Sequence, residues 1–164
     1  MNYILTPVKV SIAFYTYPGL ILKPLIKILG KTDIHHCSLV LEREDNRIVL
    51  ATSDTHRAKF VDEDMYHSRI ITPICIVDIG KSECSINQLN DFIKPYSKLN
   101  KTDLIYYCIL GRFLSPSSLT TSCSLITCQL IRIMGYNIND YVLPRDLYLD
   151  LKKEHKERSY ECSL

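Results

Sequence analysis

The apolar and polar positions divide the chain into an early run of strands and a later run of helices. Lys9–Tyr15 alternates and is partly β-branched or aromatic, which predicts a strand. In Tyr15–Leu29, Leu20, Leu22, Leu25, Ile26 and Leu29 recur with Lys23 and Lys27 opposite, the spacing of an amphipathic helix. Pro18 and Pro24 interrupt it, and Gly30 is a natural stop. His36–Arg43 and Arg47–Ser53 read as two strands joined through the polar turn Glu44–Asp45–Asn46, hence a hairpin. Asp54–His67 reads as a polar loop. Arg69–Ile79 reads as a third strand, with Pro73 marking an edge or a bulge.

The second half has helical spacing. Ile86, Leu89, Phe92 and Ile93 share one face of Ser85–Tyr96, with Ser85 placed to cap it. Thr102–Phe113 is a second helical stretch, with Asp103 in its first turn, where a carboxylate complements the dipole. Ser115–Ser122 is a loop. Cys123–Met134 is a third helix, stopped by Gly135, and Pro144 opens a short final helix toward Lys152. Strands first and helices later predict an α+β domain over residues 1–152, followed by a polar, frayed tail over residues 153–164.

Length and composition narrow the function classes. A chain of 164 residues is one domain and buries roughly 70% of its unfolded surface, so it needs no metal or disulfide to stay folded. With 46% apolar and 23% charged residues, bulk disorder is excluded. A net charge of +2 is too small to predict a nucleic-acid partner, and Arg57, Lys59 and Arg69 read as a solvated face. No apolar run reaches the ~20 residues of a membrane span. The stretch Leu20–Leu29 packs on a core more readily than on a membrane surface. The seven cysteines contain no Cys-x-x-Cys pair, and the first residues carry no secretory pattern. Free thiols in a reducing compartment follow, with the cytoplasm as the default location. No cofactor is implied.

One thiol stands out. Thr120–Thr121–Ser122 precede Cys123, which opens an apolar-periodic helix. Hydroxyls there can cap the first N–H groups, and the positive end of the dipole favours a thiolate. The alternative reading makes Cys123 a small buried residue among other cysteines. The second feature is Asp33–Ile34–His35–His36–Cys37, two histidines at a strand entrance, of which only one can face a given site. A histidine beside Cys123 would serve as base and ion-pair partner. His35, His36 and Cys37 also allow a metal reading, but no third or fourth ligand follows by spacing.

Taken in order, these segments resemble the circularly permuted branch of the NlpC superfamily of papain-like cysteine peptidases and amidases. His36-Cys-Ser-Leu-Val-Leu is similar to that branch's Ser-His-Val-x-Leu-Val strand, and Cys123-Ser-Leu-Ile to its Cys-Ser-x-Leu-Val helix start. Thr102-Asp-Leu-Ile-Tyr resembles the segment that precedes the nucleophile helix. Pro144-Arg-Asp-Leu-Tyr resembles the element that follows it. The resemblance spans Lys9 to Lys152. It implies a papain-like fold, Cys123 as nucleophile and His36 as general base, with Cys128 and His35 as second choices. Small proteins of this kind are common in phage genomes, which implies a host cytoplasm or a virion as the setting.

The family's third polar residue orients the imidazole from the neighbouring strand. A tight turn at Asp45–Asn46 puts Ser53 on the face of His36 and Ser38. A three-residue turn puts Thr52 and Asp54 there instead. The sequence departs from the family in having no His, Asn or Gln at that place, and Leu50 stands where the unpermuted family often has a polar residue. The implied chemistry is acyl transfer, with backbone N–H groups at the helix start holding the oxyanion. By analogy the substrate is a peptide or muropeptide amide. A lipid acyl group is the second choice, since a lecithin retinol acyltransferase-like branch shares the permuted order. The competing classes are a non-catalytic binding module on the same scaffold and a metal-binding protein.

Overall fold

The computed structural model describes residues 6–16, 33–34, 36–43, 46–51, 58–67, 73–94, 122–141, 143–154 and 157–159. Its strands are β1 (Thr6–Tyr15), β2 (His36–Glu42), β3 (Arg47–Ala51), β4 (Lys59–Asp62), β5 (Cys75–Cys84) and β6 (Glu157–Ser159). Its helices are α1 (Glu63–His67), α2 (Ile86–Ile93), α3 (Cys123–Ile133) and α4 (Pro144–Glu154). The strands form one sheet in the order β4-β3-β2-β1-β5-β6, and every neighbouring pair is antiparallel. The fold is therefore mixed α/β around an antiparallel sheet.

Alternation along the strands splits the core into two layers. Val10, Ile12 and Phe14 of β1 and Cys37, Leu39 and Leu41 of β2 meet Ile126, Leu130 and Ile131 of α3, Leu89 and Ile93 of α2 and Leu147 of α4. Ala13, Tyr15, Val40, Val49 and Ile76 form the opposite layer, covered by Tyr66 of α1. β2 is thus buried on both faces, unlike the usual half-wet antiparallel strand. The second layer also holds an ion pair from Arg47 to Glu63 at 2.7 Å, which ties α1 to β3.

Several boundaries differ from the sequence expectation. β1 starts at Thr6, ahead of Lys9. Tyr15 ends β1, and the helix expected over the following residues lies outside the described residues, as does the one over 102–113. The expected loop Asp54–His67 contains β4 and α1. Four residues of alternation and a one-turn helix are too short to leave a periodic signal. β5 begins at Cys75, after Pro73, because a proline cannot donate to a ladder. The irregularity falls further along, where Val10 pairs with Gly80 and Ser11 with Asp78, leaving Ile79 as the extra residue. Ser85 sits at the N-cap of α2 without a side-chain capping bond. The segment expected to fray supplies β6, which pairs with β5. No helix among the described residues is long and apolar enough to cross a membrane.

Gly80 is required at the bulge. Its φ is 152°, and a Cβ there would lie 2.6 Å from the Tyr136 hydroxyl, which donates to the Lys81 carbonyl at 2.8 Å. Gly80→Ala is expected to lower unfolding free energy by about 1–3 kcal/mol. Adding Tyr136→Phe removes the nearest atom, so the double variant should lose less than the sum of the single losses in chemical denaturation. Fully additive losses would place the strain elsewhere.

Candidate active site

α3 begins where the sheet can receive it. Ser122 is its N-cap, with extended backbone and a side-chain oxygen that accepts from the Leu125 amide at 3.1 Å. Its carbonyl accepts from Ile126. Leu125, Ile126, Leu130 and Ile131 are buried, so the helix is pinned to the sheet, and it packs on β2. Cys123 is the first helical residue, and its N–H belongs to the first turn, where amides have no intrahelical acceptor.

β2 brings two different groups to this helix end. By register, Tyr15, His36, Ala13 and Ser38 share one face, and Phe14, Cys37, Ile12 and Leu39 share the other. Cys37 therefore points toward α3, where its thiol lies in hydrogen-bonding reach of the Cys123 sulfur. His36 alternates to the opposite face, but it is the first residue of the strand, and its ring is also in hydrogen-bonding reach of Cys123. The Cys37 backbone N–H reaches the same sulfur.

The imidazole is held from its far side. His36 Nε2 lies 3.1 Å from Ser38 Oγ and 3.2 Å from the Tyr66 hydroxyl. The two hydroxyls are 3.3 Å apart, so the three groups close a triangle. The Tyr15 ring packs against both His36 and Tyr66, with centroids 5.8 Å apart in each case. His36, Ser38 and Tyr66 are all buried, so this network is shielded from water and its bonds are correspondingly strong.

These contacts sort the thiols. Cys123 is held well below the ordinary thiol range: the Cys37 thiol donates a hydrogen bond to it, burial opposes, and the His36 charge and hydrogen bond add to the lowering. Cys37 moves the other way, pushed up first by burial and then by its role as donor to Cys123. Burial pushes Cys128 up to about 11, so the second-choice nucleophile is held as a thiol. Cys123 is 8% exposed, whereas Cys37 is 1% and Cys128 0%, so the acidic thiol is also the most accessible of the three.

Of the residues singled out from sequence, Cys123 and His36 come together. His35, Thr52, Ser53 and Asp54 lie outside the described residues. The hairpin register gives the face expected of the tight turn but not its position: Arg47 pairs with Glu42 rather than with Glu44, and Val49 with Val40, so odd-numbered β3 residues share the His36 face. Leu50 lies on the opposite face, in the core with α3. Among the described residues no three His, Cys, Asp or Glu side chains gather as a metal site requires. Tyr66 was missed because its segment reads as a loop. Ser38 was visible in the alternation as a residue on the His36 face. Cys37 entered the sequence reading only as a metal ligand, although alternation alone places it opposite His36.

Comparison with known proteins finds no matching family model, no matching curated protein and no matching solved structure.

If Ser38 and Tyr66 orient and stabilise the imidazolium, removing them raises the Cys123 thiolate pKa. Ser38→Ala and Tyr66→Phe should each shift the pH profile of Cys123 alkylation upward and slow it about 2- to 10-fold at pH values below the parent's transition, as expected for loss of one hydrogen bond of about 0.5–1.5 kcal/mol. Peptide mass mapping of alkylation against pH reads this directly. Unchanged profiles in both variants would leave the two hydroxyls a packing role only.

Proposed function

We propose that this protein is a thiol-dependent hydrolase of the amidase or peptidase type, working through an acyl-enzyme on Cys123. The observation that carries the proposal is the contact of Cys123, at a capped helix start, with His36, whose Nε2 is held by Ser38 and Tyr66. With Nε2 committed, Nδ1 is the ring atom assigned to the thiol. The Cys–His order and the motif resemblance to the circularly permuted NlpC branch support a papain-like arrangement. Tyr66 and Ser38 would take the part of the polar residue that the sequence lacks at the expected place.

The thiolate attacks a carbonyl carbon, and the carbonyl oxygen gathers negative charge. The Cys123 backbone N–H at the helix start is a donor for that oxyanion, favoured by the helix dipole. His36, as imidazolium, gives its proton to the leaving amine or alcohol and then accepts one from the incoming water. Each transfer leaves Nε2 bonded to the two hydroxyls, so the ring need not reorient. The substrate class assigned by resemblance is a peptide or muropeptide amide, with an acyl ester as the alternative that a substrate panel separates.

The test is acylation of the protein by amide and ester panels, followed by intact mass. The parent should carry one acyl group on Cys123 and turn over. Cys123→Ala should do neither, and His36→Ala should lose about 10²- to 10⁴-fold in rate, the size of general acid–base catalysis. A parent that is never acylated by either panel, while its Cys123 alkylates normally, would identify a binding module on a hydrolase-like scaffold.

A further inference from the structure

Cys37 has a position that hydrolysis does not require. An oxyanion donor or a base would do the family's work without a second thiol, yet Cys37 lies in hydrogen-bonding reach of the Cys123 sulfur, and its own amide reaches that sulfur as well. Cys37 lies on the α3-facing side of β2 and Cys123 opens α3, which packs on that strand, so the two thiols meet between these elements. Both side chains belong to the buried core layer on the α3 side of the sheet. Thr127, one turn after Cys123, is fully buried with no hydrogen bond of ordinary geometry, and its hydroxyl faces the Cys37 sulfur.

We propose that Cys37 and Cys123 form an oxidation site, at which a hydroperoxide oxidises Cys123 and Cys37 resolves the product to a disulfide joining β2 to α3. In the first step the Cys123 thiolate attacks the terminal peroxide oxygen. An S–O bond forms, the O–O bond breaks, and the peroxide leaves as an alcohol or water after taking a proton. In the second step Cys37 gives up its proton and attacks the Cys123 sulfur. The S–S bond forms, the S–O bond breaks and water leaves. Two thiols thus supply the two electrons that reduce one hydroperoxide. The unequal thiols set the order, since the acidic and more exposed Cys123 reacts first and the buried Cys37 waits as thiol. The chemistry needs these two residues alone and holds whether or not an acyl substrate exists. Where hydrolysis operates, the disulfide removes its nucleophile and a dithiol restores it.

The test uses the full chain, reduced, freed of reductant and exposed to hydrogen peroxide. Free thiols are then blocked and peptides mapped without reduction. The parent should yield a Cys37–Cys123 cross-linked peptide that dithiothreitol reverses, while Cys75, Cys84 and Cys128 stay reduced. Cys37→Ser should instead hold a sulfenic acid on Cys123, trapped by a 1,3-dicarbonyl reagent. Cys123→Ser should leave Cys37 unoxidised at the same dose. The parent map decides by itself should a variant fail to fold. A lasting Cys123 sulfenic acid in the parent, a cross-link to Cys128, or oxidation of Cys75 and Cys84 at the same rate as Cys123 would overturn the proposal.

Discussion

The burial of β2 on both faces is the constraint from which the site follows. A strand covered on one side only would send alternate residues to water. Here Cys37, Leu39 and Leu41 meet α3, while His36, Ser38 and Val40 meet the layer that contains Tyr15 and Tyr66. A thiol and an imidazole adjacent in sequence are thereby presented to different surroundings. One enters an apolar layer with the nucleophile candidate. The other enters a hydroxyl network. Because His36 opens the strand, its ring still reaches the helix start, and Cys123 meets both.

That arrangement trades stability for chemistry in a recognisable way. Burying a thiolate is unfavourable, and the cost is offset only by specific donors. Cys123 has three: the Cys37 thiol, the His36 ring and the Cys37 amide. Cys128, on the same helix, is buried without that donor set and shifts upward. Two cysteines five residues apart thus behave oppositely, and the difference lies in what β2 places against each. Asymmetric acidity among neighbouring groups is a common mark of a reactive site.

The sequence revealed the two ends of the Cys–His pair because each has a local cause. Ser122 before an apolar-periodic run marks a helix start, and a β-rich run after His36 marks a strand start. The strand-first, helix-last order and the hairpin over β2 and β3 were legible for the same reason. Tyr66 was not legible, since its burial comes from α1 folding across the sheet, tied by Arg47 to Glu63, and nothing periodic in Glu63–His67 announces that. β6 was hidden likewise: three polar residues become a strand only because β5 offers an edge. The bulge at Gly80 depends on the approach of Tyr136 from beyond α3, a distance in sequence that no local rule spans.

The account rests on Cys123 being a thiolate because of its neighbours, and thiolate ultraviolet absorbance measures that most directly. The quantity is the difference between the parent and Cys123→Ser, followed across pH. The expected transition lies well below the ordinary thiol pKa of about 8.5, and is displaced upward in His36→Gln, which alters both the electrostatic and the hydrogen-bond contribution of the ring. A difference signal that titrates at or above the ordinary value, and that ignores His36→Gln, would contradict it.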